Sequence, residues 1–256
     1  MDKSKVYENE IPDDSHFKEI REIWRAEMGA DEALRAEAIG LTVASNAYNY
    51  GYQWEWCGVP IIRHPDDIVL QQEVMWEIKP KKIIETGIAR GGSLVLSASL
   101  QKLFSEEGKV LGIDIQILDH TNKSLAPWVE TNQISMIECD STSAKAKTAV
   151  TEFIGDDVEA NLLVLDSNHS HDHVLNELLN LAPLLNKGSL VIVADTIIQE
   201  MPENSYENRP WNKEANPLSA VNEFLRLNPS FERDSKYCRR SLMGECRDGI
   251  LRKVKN

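Results

Sequence analysis

The chain has 256 residues, of which 42% are hydrophobic and 27% charged, a composition typical of one large α/β domain or two small domains. Its 28 basic and 41 acidic residues give a net charge of −13, which argues against broad binding to nucleic acid, because that binding needs clustered lysine and arginine. No apolar run approaches the roughly 18 residues of a membrane span, and the first residues lack the apolar core of a secretory signal. We therefore expect a cytoplasmic protein that binds a neutral or cationic small molecule, and the four scattered cysteines agree with a reducing compartment.

The first predicted elements are helical. Residues 15–38 carry an apolar stripe among charged residues, which predicts one or two amphipathic helices. Aromatic residues then alternate with small or polar ones over residues 48–56, and this period of two predicts an extended segment with all its rings on one face. Such rings stack on a sugar or aromatic acceptor, or form core or an oligomer contact, which leaves a homo-oligomer open. We assign residues 1–60 to an N-terminal helical and aromatic extension and residues 61–256 to the main domain.

Strands and helices alternate from residue 66 onward. Short apolar runs that end at glycine or an acid predict strands. The segments between them have helical periodicity, except that no helix is predicted between the second and third of these strands. The alternation predicts an α/β fold with a doubly wound, Rossmann-like sheet that is mostly parallel, has helices on both faces and ends in an antiparallel hairpin. Ligands bind such sheets beyond the carboxyl ends of the strands. Five successive predicted strands end at or beside an acid: Glu85, Asp114, Asp140, Asp166 and Asp195.

The motif IIETGIARGGS, residues 83–93, lies at the end of the first of these strands. Its glycines allow a tight turn and let a ligand approach the backbone at a helix N-terminus. The spacing is neither the GxGxxG of dinucleotide sites nor a P-loop, and a turn that matters only for packing is the alternative. We predict that the motif binds a cofactor through Glu85, Gly87, Gly91 and Ser93.

Two acids on the following strands extend the predicted cofactor site. Asp114 ends the second strand, where a carboxylate can accept hydrogen bonds from both hydroxyls of a ribose. Asp140 ends the third strand, at a position suited to an adenine amino group. A glycine loop without a phosphate cradle, followed by a ribose acid, points to an adenosine cofactor that lacks a pyrophosphate. S-adenosylmethionine fits this description, and its sulfonium suits an acidic pocket.

These motifs resemble those of class I S-adenosylmethionine-dependent methyltransferases. With GVPxxRxPxD at residues 58–67 and LDSxHxxxHV at residues 165–174, the chain more narrowly resembles the cephalosporin hydroxylase / rhamnosyl O-methyltransferase family, over residues 46–253. The resemblance implies the methyltransferase fold and O-methylation more than hydroxylation. It implies a small hydroxylated acceptor, with the sugar of a glycolipid, polysaccharide or secondary metabolite as the first choice.

Asp166 and Asp195 are the predicted metal ligands. They end strands that are neighbours in this fold, and two carboxylates suit a hard ion such as Mg²⁺, which would hold the acceptor hydroxyl and lower its pKa. For Asp166, a helix N-cap or a contact to the cofactor's amino group is the alternative. The resembled family usually has Glu-Asp where this chain has Ala194 and Asp195, and the related catechol-type enzymes have Asn where it has Thr196. One expected metal ligand is therefore replaced in this chain, whether it is compared with the resembled family or with the catechol-type enzymes.

His169 is the predicted catalytic residue. It stands where the catechol-type enzymes place their general base, and an imidazole can accept a hydroxyl proton at neutral pH. The alternative is a histidine that caps the following helix or holds Asp166. His173, one helical turn on, is expected to support the site, and His171 to be solvated. The run lacks the His-x-His-x-Asp-His spacing of metallohydrolases, so a three-histidine zinc site is not expected.

Two further regions are candidates for shaping acceptor choice. Residues 197–217 are long for a simple connection and are predicted to cover the site as a lid, with Arg209 and Trp211 as contacts; a disordered surface insert is the alternative. Arg63 is a candidate for positioning an anionic group or for a surface salt bridge.

Two other functions stay open from the sequence. One is a non-haem iron hydroxylase, in which His169, His173 and Asp166 would form a 2-His-1-carboxylate triad; this would leave the glycine loop and the ribose acid unexplained. The other is a cofactor-binding subunit that kept the fold and lost the chemistry.

Overall fold

The computed structural model describes residues 14–206 and 208–255. Its chain begins with two helices, α1 (Asp14–Ala30) and α2 (Glu32–Asn46), which confirms the helical prediction and extends it to residue 46. Asp31 separates them and caps α2, because its side chain accepts a hydrogen bond from the backbone N–H of Leu34 at 3.0 Å. The first 13 residues of the predicted extension lie outside the described residues.

The prediction of one extended aromatic segment is wrong. Tyr50–Tyr52 forms a single 3₁₀ turn after Asn49, whose φ of 50° is left-handed. Only β1 (Trp54–Trp56) is extended, and it pairs antiparallel with β2 (Val59–Ile61). Turn formation at Asn49 therefore overrides the period of two, since asparagine adopts the left-handed conformation more readily than most residues.

The aromatic rings consequently face different ways. Tyr48 and Tyr52 are 76% and 65% exposed. Tyr50 instead packs edge-on against Trp54 and His64, with ring centroids 5.4 Å apart in both pairs. The segment thus contributes both to the interior and to an exposed aromatic surface.

The main sheet has seven strands in the order β5-β4-β3-β6-β7-β9-β8. The first five in this order pair in parallel, and β9 pairs antiparallel with β7 and β8, which confirms the predicted fold class and the C-terminal hairpin. The strands are β3 (Lys82–Thr86), β4 (Lys109–Asp114), β5 (Ile134–Glu138), β6 (Leu162–Leu165), β7 (Leu190–Val193), β8 (Phe231–Arg233) and β9 (Ile250–Lys253).

Helices cover both faces of the sheet, as predicted. Alternate strand residues point to opposite faces, so Ile83 belongs to one buried cluster and Ile84 to the other. The first cluster includes residues of α3, α4 and α5, and the second residues of α6, α7 and α8. These helices are α3 (Pro65–Ile78), α4 (Gly92–Gln101), α5 (Asp119–Glu130), α6 (Ala144–Ile154), α7 (His171–Leu181) and α8 (Pro217–Leu227).

The strand order reverses direction between β3 and β6. The chain proceeds from β3 outward to β4 and β5, and from β6 outward to β7 on the other side, so a crevice opens at the carboxyl ends of β3 and β6. The predicted site residues lie in the segments that leave these ends. Among the described helices, none combines the length and apolar character that a bilayer crossing needs.

Candidate active site

Gly87 makes the turn at the end of β3. Its φ is +86°, and a Cβ there would lie 2.0 Å from the carbonyl oxygen of Asp166, which is backbone and cannot swing away. Gly91, with a φ of +89°, caps the start of α4 against Leu125. Only glycine therefore lets this loop pass so close to the end of β6 and open α4 toward the crevice.

Asp114 supports the glycine loop from β4. Its Oδ2 accepts hydrogen bonds from the backbone N–H of Ile88 at 2.7 Å and of Ala89 at 3.3 Å. Asp140 closes its own turn instead, because its Oδ1 accepts from the N–H and the hydroxyl of Thr142, which lowers its pKa. Neither acid is among the residues that line the cavity at the glycine loop. Their ribose and adenine contacts stay predictions.

Glu85 lies fully buried beneath the loop. The hydroxyl of Ser93 donates to its Oε1, while its Oε2 is buried without a hydrogen-bond partner among the described residues. Burial raises the pKa of this carboxyl despite the nearby guanidinium of Arg63 and the bond from Ser93. Glu85 is also not among the residues that line the cavity at the glycine loop, so its cofactor contact stays a prediction.

Asp166, His169 and Asp195 come together at the ends of β6 and β7. One potential ligand atom from each lies within 4.8 Å of the others, and among residues 14–206 and 208–255 this is the group of side chains that could hold a metal ion. His169 Nδ1 is 3.4 Å from Asp195 Oδ2. Asp195 has a left-handed φ of 56°, which a non-glycine residue adopts at a free-energy cost and which is frequent at functional sites. The structure thus joins both predicted metal ligands to the predicted base.

Arg63 is a buried partner of Asp166, so a surface salt bridge is the wrong description. It is 3% exposed; its Nη2 is 3.2 Å from Asp166 Oδ2, and its Nη1 donates to Gln71 at 2.7 Å. The pKa of Asp166 is nevertheless raised to about 7, because burial and the repulsion of Asp195 together outweigh the attraction of Arg63. Such a carboxyl favours a second positive charge beside it.

The other two histidines lie outside the metal-binding group. His173 Nε2 is 3.0 Å from the hydroxyl of Ser141 and 3.1 Å from that of Ser167, and it faces Glu177, which raises its pKa. It therefore supports the Ser167 segment, as predicted, and it does not complete a 2-His-1-carboxylate triad with Asp166 and His169.

The prediction of a solvated His171 is wrong. Its Nδ1 is 2.8 Å from the hydroxyl of Ser219, and its Nε2 is 3.2 Å from Glu223. Both partners lie on α8, which packs against α7 and so places acceptors and donors beside this histidine.

The lid segment, residues 197–217, covers the site as predicted. The ring of Trp211 packs edge-on against His169 with centroids 4.8 Å apart, and the guanidinium of Arg209 lies 5.3 Å from the Trp211 ring. Glu200 anchors the start of the segment through two buried arginines, Arg35 of α2 and Arg247, each at 2.9 Å. The lid is therefore tied to the N-terminal helices.

Glu245 is a site residue that the sequence analysis missed. Its backbone N–H donates to Asp67 Oδ2 at 2.7 Å, and its carbonyl accepts from Ile197 and from the hydroxyl of Thr196, both at 3.1 Å. Its carboxylate is 3.7 Å from His64 Nε2. The long connection between β8 and β9, residues 234–249, was a signal that could have directed attention to it, since long loops often carry function.

Two cavities meet at these residues. One of about 260 Å³ lies along the glycine loop, and one of about 620 Å³ lies under the lid segment. The first is lined by Gly87, Gly91, Ser93 and Asp166, and the second by residues of α2, the 3₁₀ turn and the lid segment. Their common lining residues are Tyr52, Ile62, Ser167, His169, Asp195 and Glu245.

The sequence matches one protein family over most of its length. A family model described as rhamnosyl O-methyltransferase/CmcI matches residues 48–254. A rhamnosyl O-methyltransferase from Mycobacterium leprae is 29% identical over 147 residues, which is 57% of this chain and 62% of the relative. The enzyme of the same name from Mycobacterium tuberculosis is 28% identical over 148 residues, covering 57% and 58%. The chain thus aligns with about three fifths of the length of these relatives.

A solved structure of CmcI with Mg and SAM shares the fold. It superimposes with a TM-score of 0.55 at 22% identity, over 80% of this chain and 78% of that one. The family model covers most of the chain and ends just after β9, so the match includes Glu85, Asp166, His169, Asp195 and Glu245 but not the contributions of α2. The chain belongs to the rhamnosyl O-methyltransferase/CmcI family.

Proposed function

We propose that this protein is an S-adenosylmethionine-dependent O-methyltransferase that methylates a hydroxyl of a small acceptor with the help of Mg²⁺. The observation that carries the proposal is the meeting of the two cavities at His169 and Asp195. A methyl donor along the glycine loop and an acceptor under the lid segment would face each other at the base and the metal ligands. Methyl transfer needs this alignment, because much of its acceleration comes from positioning.

The glycine loop fits the cofactor. The cavity of about 260 Å³ lies along Gly87, Gly91 and Ser93 at the start of α4, where backbone N–H groups can bind a ligand. The CmcI structure with Mg and SAM supports the same ligands here by fold.

The carboxylates of Asp166 and Asp195 fit the ion. When bound, S-adenosylmethionine supplies an electrophilic methyl group and Mg²⁺ polarises the acceptor oxygen. Asp166 and Asp195 would hold the ion, and Arg63 holds Asp166 in place. His169 turns Nδ1 toward Asp195, which would leave Nε2 free to take the proton of the acceptor hydroxyl while the methyl group passes from sulfur to oxygen and the sulfur keeps the bonding electron pair. Trp211 packs against the imidazole and keeps water from this side of the ring.

The larger cavity favours a sugar acceptor. Asparagines, Arg209, and the rings of Tyr52 and Trp211 line it, and such mixtures of hydrogen-bonding groups and aromatic faces suit a polyhydroxylated ring. Asn46, Asn49 and Tyr52 come from the N-terminal extension, which supports a role of that extension in acceptor binding. The rhamnosyl relatives act on a sugar by name, which agrees with this assignment.

Release of S-adenosylhomocysteine tests the proposal. We would incubate the protein with S-adenosylmethionine, Mg²⁺ and a panel of deoxysugar glycosides, and compare EDTA and an Asp195→Asn variant. The proposal predicts acceptor-dependent product that EDTA and Asp195→Asn both abolish. Iron-dependent oxygen consumption in place of methyl transfer would support the hydroxylase, and S-adenosylmethionine binding without any product would support the inactive subunit.

A further inference from the structure

Glu245 lies at the junction of the two cavities, yet the proposed chemistry does not use it. Glu245 lines both the cavity at the glycine loop and the cavity under the lid segment, as Asp195 and His169 do. It arrives from the connection between β8 and β9, far along the chain from β6 and β7. Ala194, the residue before Asp195, offers no ligand atom of its own.

The backbone around Glu245 is firmly held. Asp67 accepts hydrogen bonds from the N–H groups of Glu245 at 2.7 Å and of Cys246 at 3.2 Å. On the other side, the carbonyl of Glu245 binds Thr196 and Ile197, which directly follow Asp195. The loop that carries Glu245 is therefore fastened to the segment that carries a metal ligand, and their carboxylates keep a fixed relation.

The charges around Glu245 do not balance. Four acids, Asp67, Asp166, Asp195 and Glu245 itself, lie near one permanent cation, Arg63, which pairs with Asp166. His64 Nδ1 hydrogen-bonds the carbonyl of Met243, so it carries a proton there, and its Nε2 is 3.7 Å from Glu245. A divalent cation at this junction would offset part of this excess of acidic groups.

Glu245 is placed to act through water. It is not in the group whose ligand atoms lie within 4.8 Å of one another, which contains Asp166, His169 and Asp195. Mg²⁺ usually keeps several of its water molecules when it binds protein, and a carboxylate just beyond the direct ligands accepts hydrogen bonds from them. We propose that Glu245 is an auxiliary carboxylate of the metal centre, which holds ion-bound water and strengthens ion binding. This inference rests on the metal-assisted function proposed above.

Manganese binding tests the inference without any turnover. Mn²⁺ would be titrated into the full chain, and the free ion would be followed by its electron paramagnetic resonance signal. The wild type would be compared with Glu245→Gln, Asp195→Asn and Glu203→Gln. Glu203 is an exposed acid of the lid segment, so its variant controls for the loss of one negative charge. Glu245→Asp keeps the charge on a shorter side chain and replaces Glu245→Gln if that variant does not fold. Calorimetry with S-adenosylmethionine is run on every protein in parallel.

We expect the dissociation constant for Mn²⁺ to rise about tenfold or more in Glu245→Gln and Glu245→Asp, as is usual when a group that supports metal ligands is removed. Glu203→Gln should match the wild type in its affinity for both Mn²⁺ and S-adenosylmethionine. If Glu245→Gln binds Mn²⁺ like Glu203→Gln while Asp195→Asn loses it, the inference is overturned and the proposed function stands. If the wild type binds no Mn²⁺, the ion and this inference both fail, whereas a wild type that binds no S-adenosylmethionine refutes the proposed function itself.

Discussion

Replacing Gly87 by alanine adds one methyl group at the place where β3 and β6 come closest. That methyl group would lie 2.0 Å from the carbonyl oxygen of Asp166 and 2.9 Å from Cα of Ser167, whereas ordinary contact begins at 3.4 Å. Because these neighbours are backbone, the end of β6 must move by more than about 1 Å, a displacement that can lower activity by roughly a hundredfold. The left-handed φ adds about 1–2 kcal/mol and the overpacking about 1–3 kcal/mol, so we expect a loss of about 2–5 kcal/mol of stability.

Gly188→Ala is the matched control. Gly188 has nearly the same backbone conformation, with a φ of +88°, but the nearest atom to an added Cβ is Ala160 Cβ at 3.8 Å. It should therefore show only the conformational cost of about 1–2 kcal/mol. Denaturant unfolding and calorimetric titration with S-adenosylmethionine would be measured for both variants. We expect at least a tenfold loss of affinity in Gly87→Ala alone. Equal stability and equal affinity in the two variants would refute the close approach of the loop to Asp166.

Three further predictions follow from the contacts of the site and its supports. His169→Ala should lower kcat by roughly 10²–10⁴-fold while leaving the S-adenosylmethionine dissociation constant unchanged, measured with an acceptor from the glycoside panel; unchanged kcat would exclude it as the base. Arg35→Met removes one of the two buried arginines that pair with Glu200, so the melting temperature should fall and limited proteolysis after Glu200 should become faster. A variant that is cleaved at the wild-type rate would show that α2 does not anchor the lid segment. Burial alone would raise the pKa of Glu77, but hydrogen bonds from Lys236, Tyr237 and Arg252 outweigh burial and lower this pKa to about 2. Because the pKa of Glu77 is lower in the folded protein than in the unfolded chain, its ion pairs stabilise the fold fully above pH 4.5, the unfolded pKa. This stabilisation is lost as the pH falls toward 2, the folded pKa. Glu77→Gln should thus cost about 1–2 kcal/mol at pH 7 after allowance for its partial exposure, and denaturant curves at pH 7 and pH 3 should show that cost shrink; a pH-independent cost would contradict the ion-pair origin.

The fold was predictable because its signals are local and repeated. Buried parallel strands are short continuous apolar runs, and here each of five ends beside an acid, so the strand ends and their acids could be assigned together. The helix α5 was not predicted; it includes Pro127 and few buried side chains, Thr121 and Leu125, so its apolar periodicity is weak. The prediction of an extended segment at residues 48–56 was wrong for the opposite reason. The period of two is strong there, but a turn at Asn49 interrupts the extended backbone.

The site was predictable to the extent that its residues follow consecutive strands. Asp166, His169 and Asp195 lie in two such segments, and the parallel order of β6 and β7 brings them together. Glu245 and the burial of Arg63 depend on contacts between distant parts of the chain, and no periodicity or motif in one sequence encodes those contacts. His171 was misjudged in the same way, since its partners lie on α8.

Binding of S-adenosylmethionine is the measurement that tests the central claim most directly. Calorimetric titration of the purified chain should show micromolar binding that falls sharply in Asp114→Ala, because that carboxylate holds the N–H groups of Ile88 and Ala89 in the glycine loop. Asp140→Ala tests the adenine contact separately. It changes the turn at Thr142, and Asp140 is not among the residues that line the cavity at the glycine loop. Heat of binding that is lost in Asp114→Ala would support the methyltransferase assignment, and absence of binding in the wild type, with and without Mg²⁺, would contradict it.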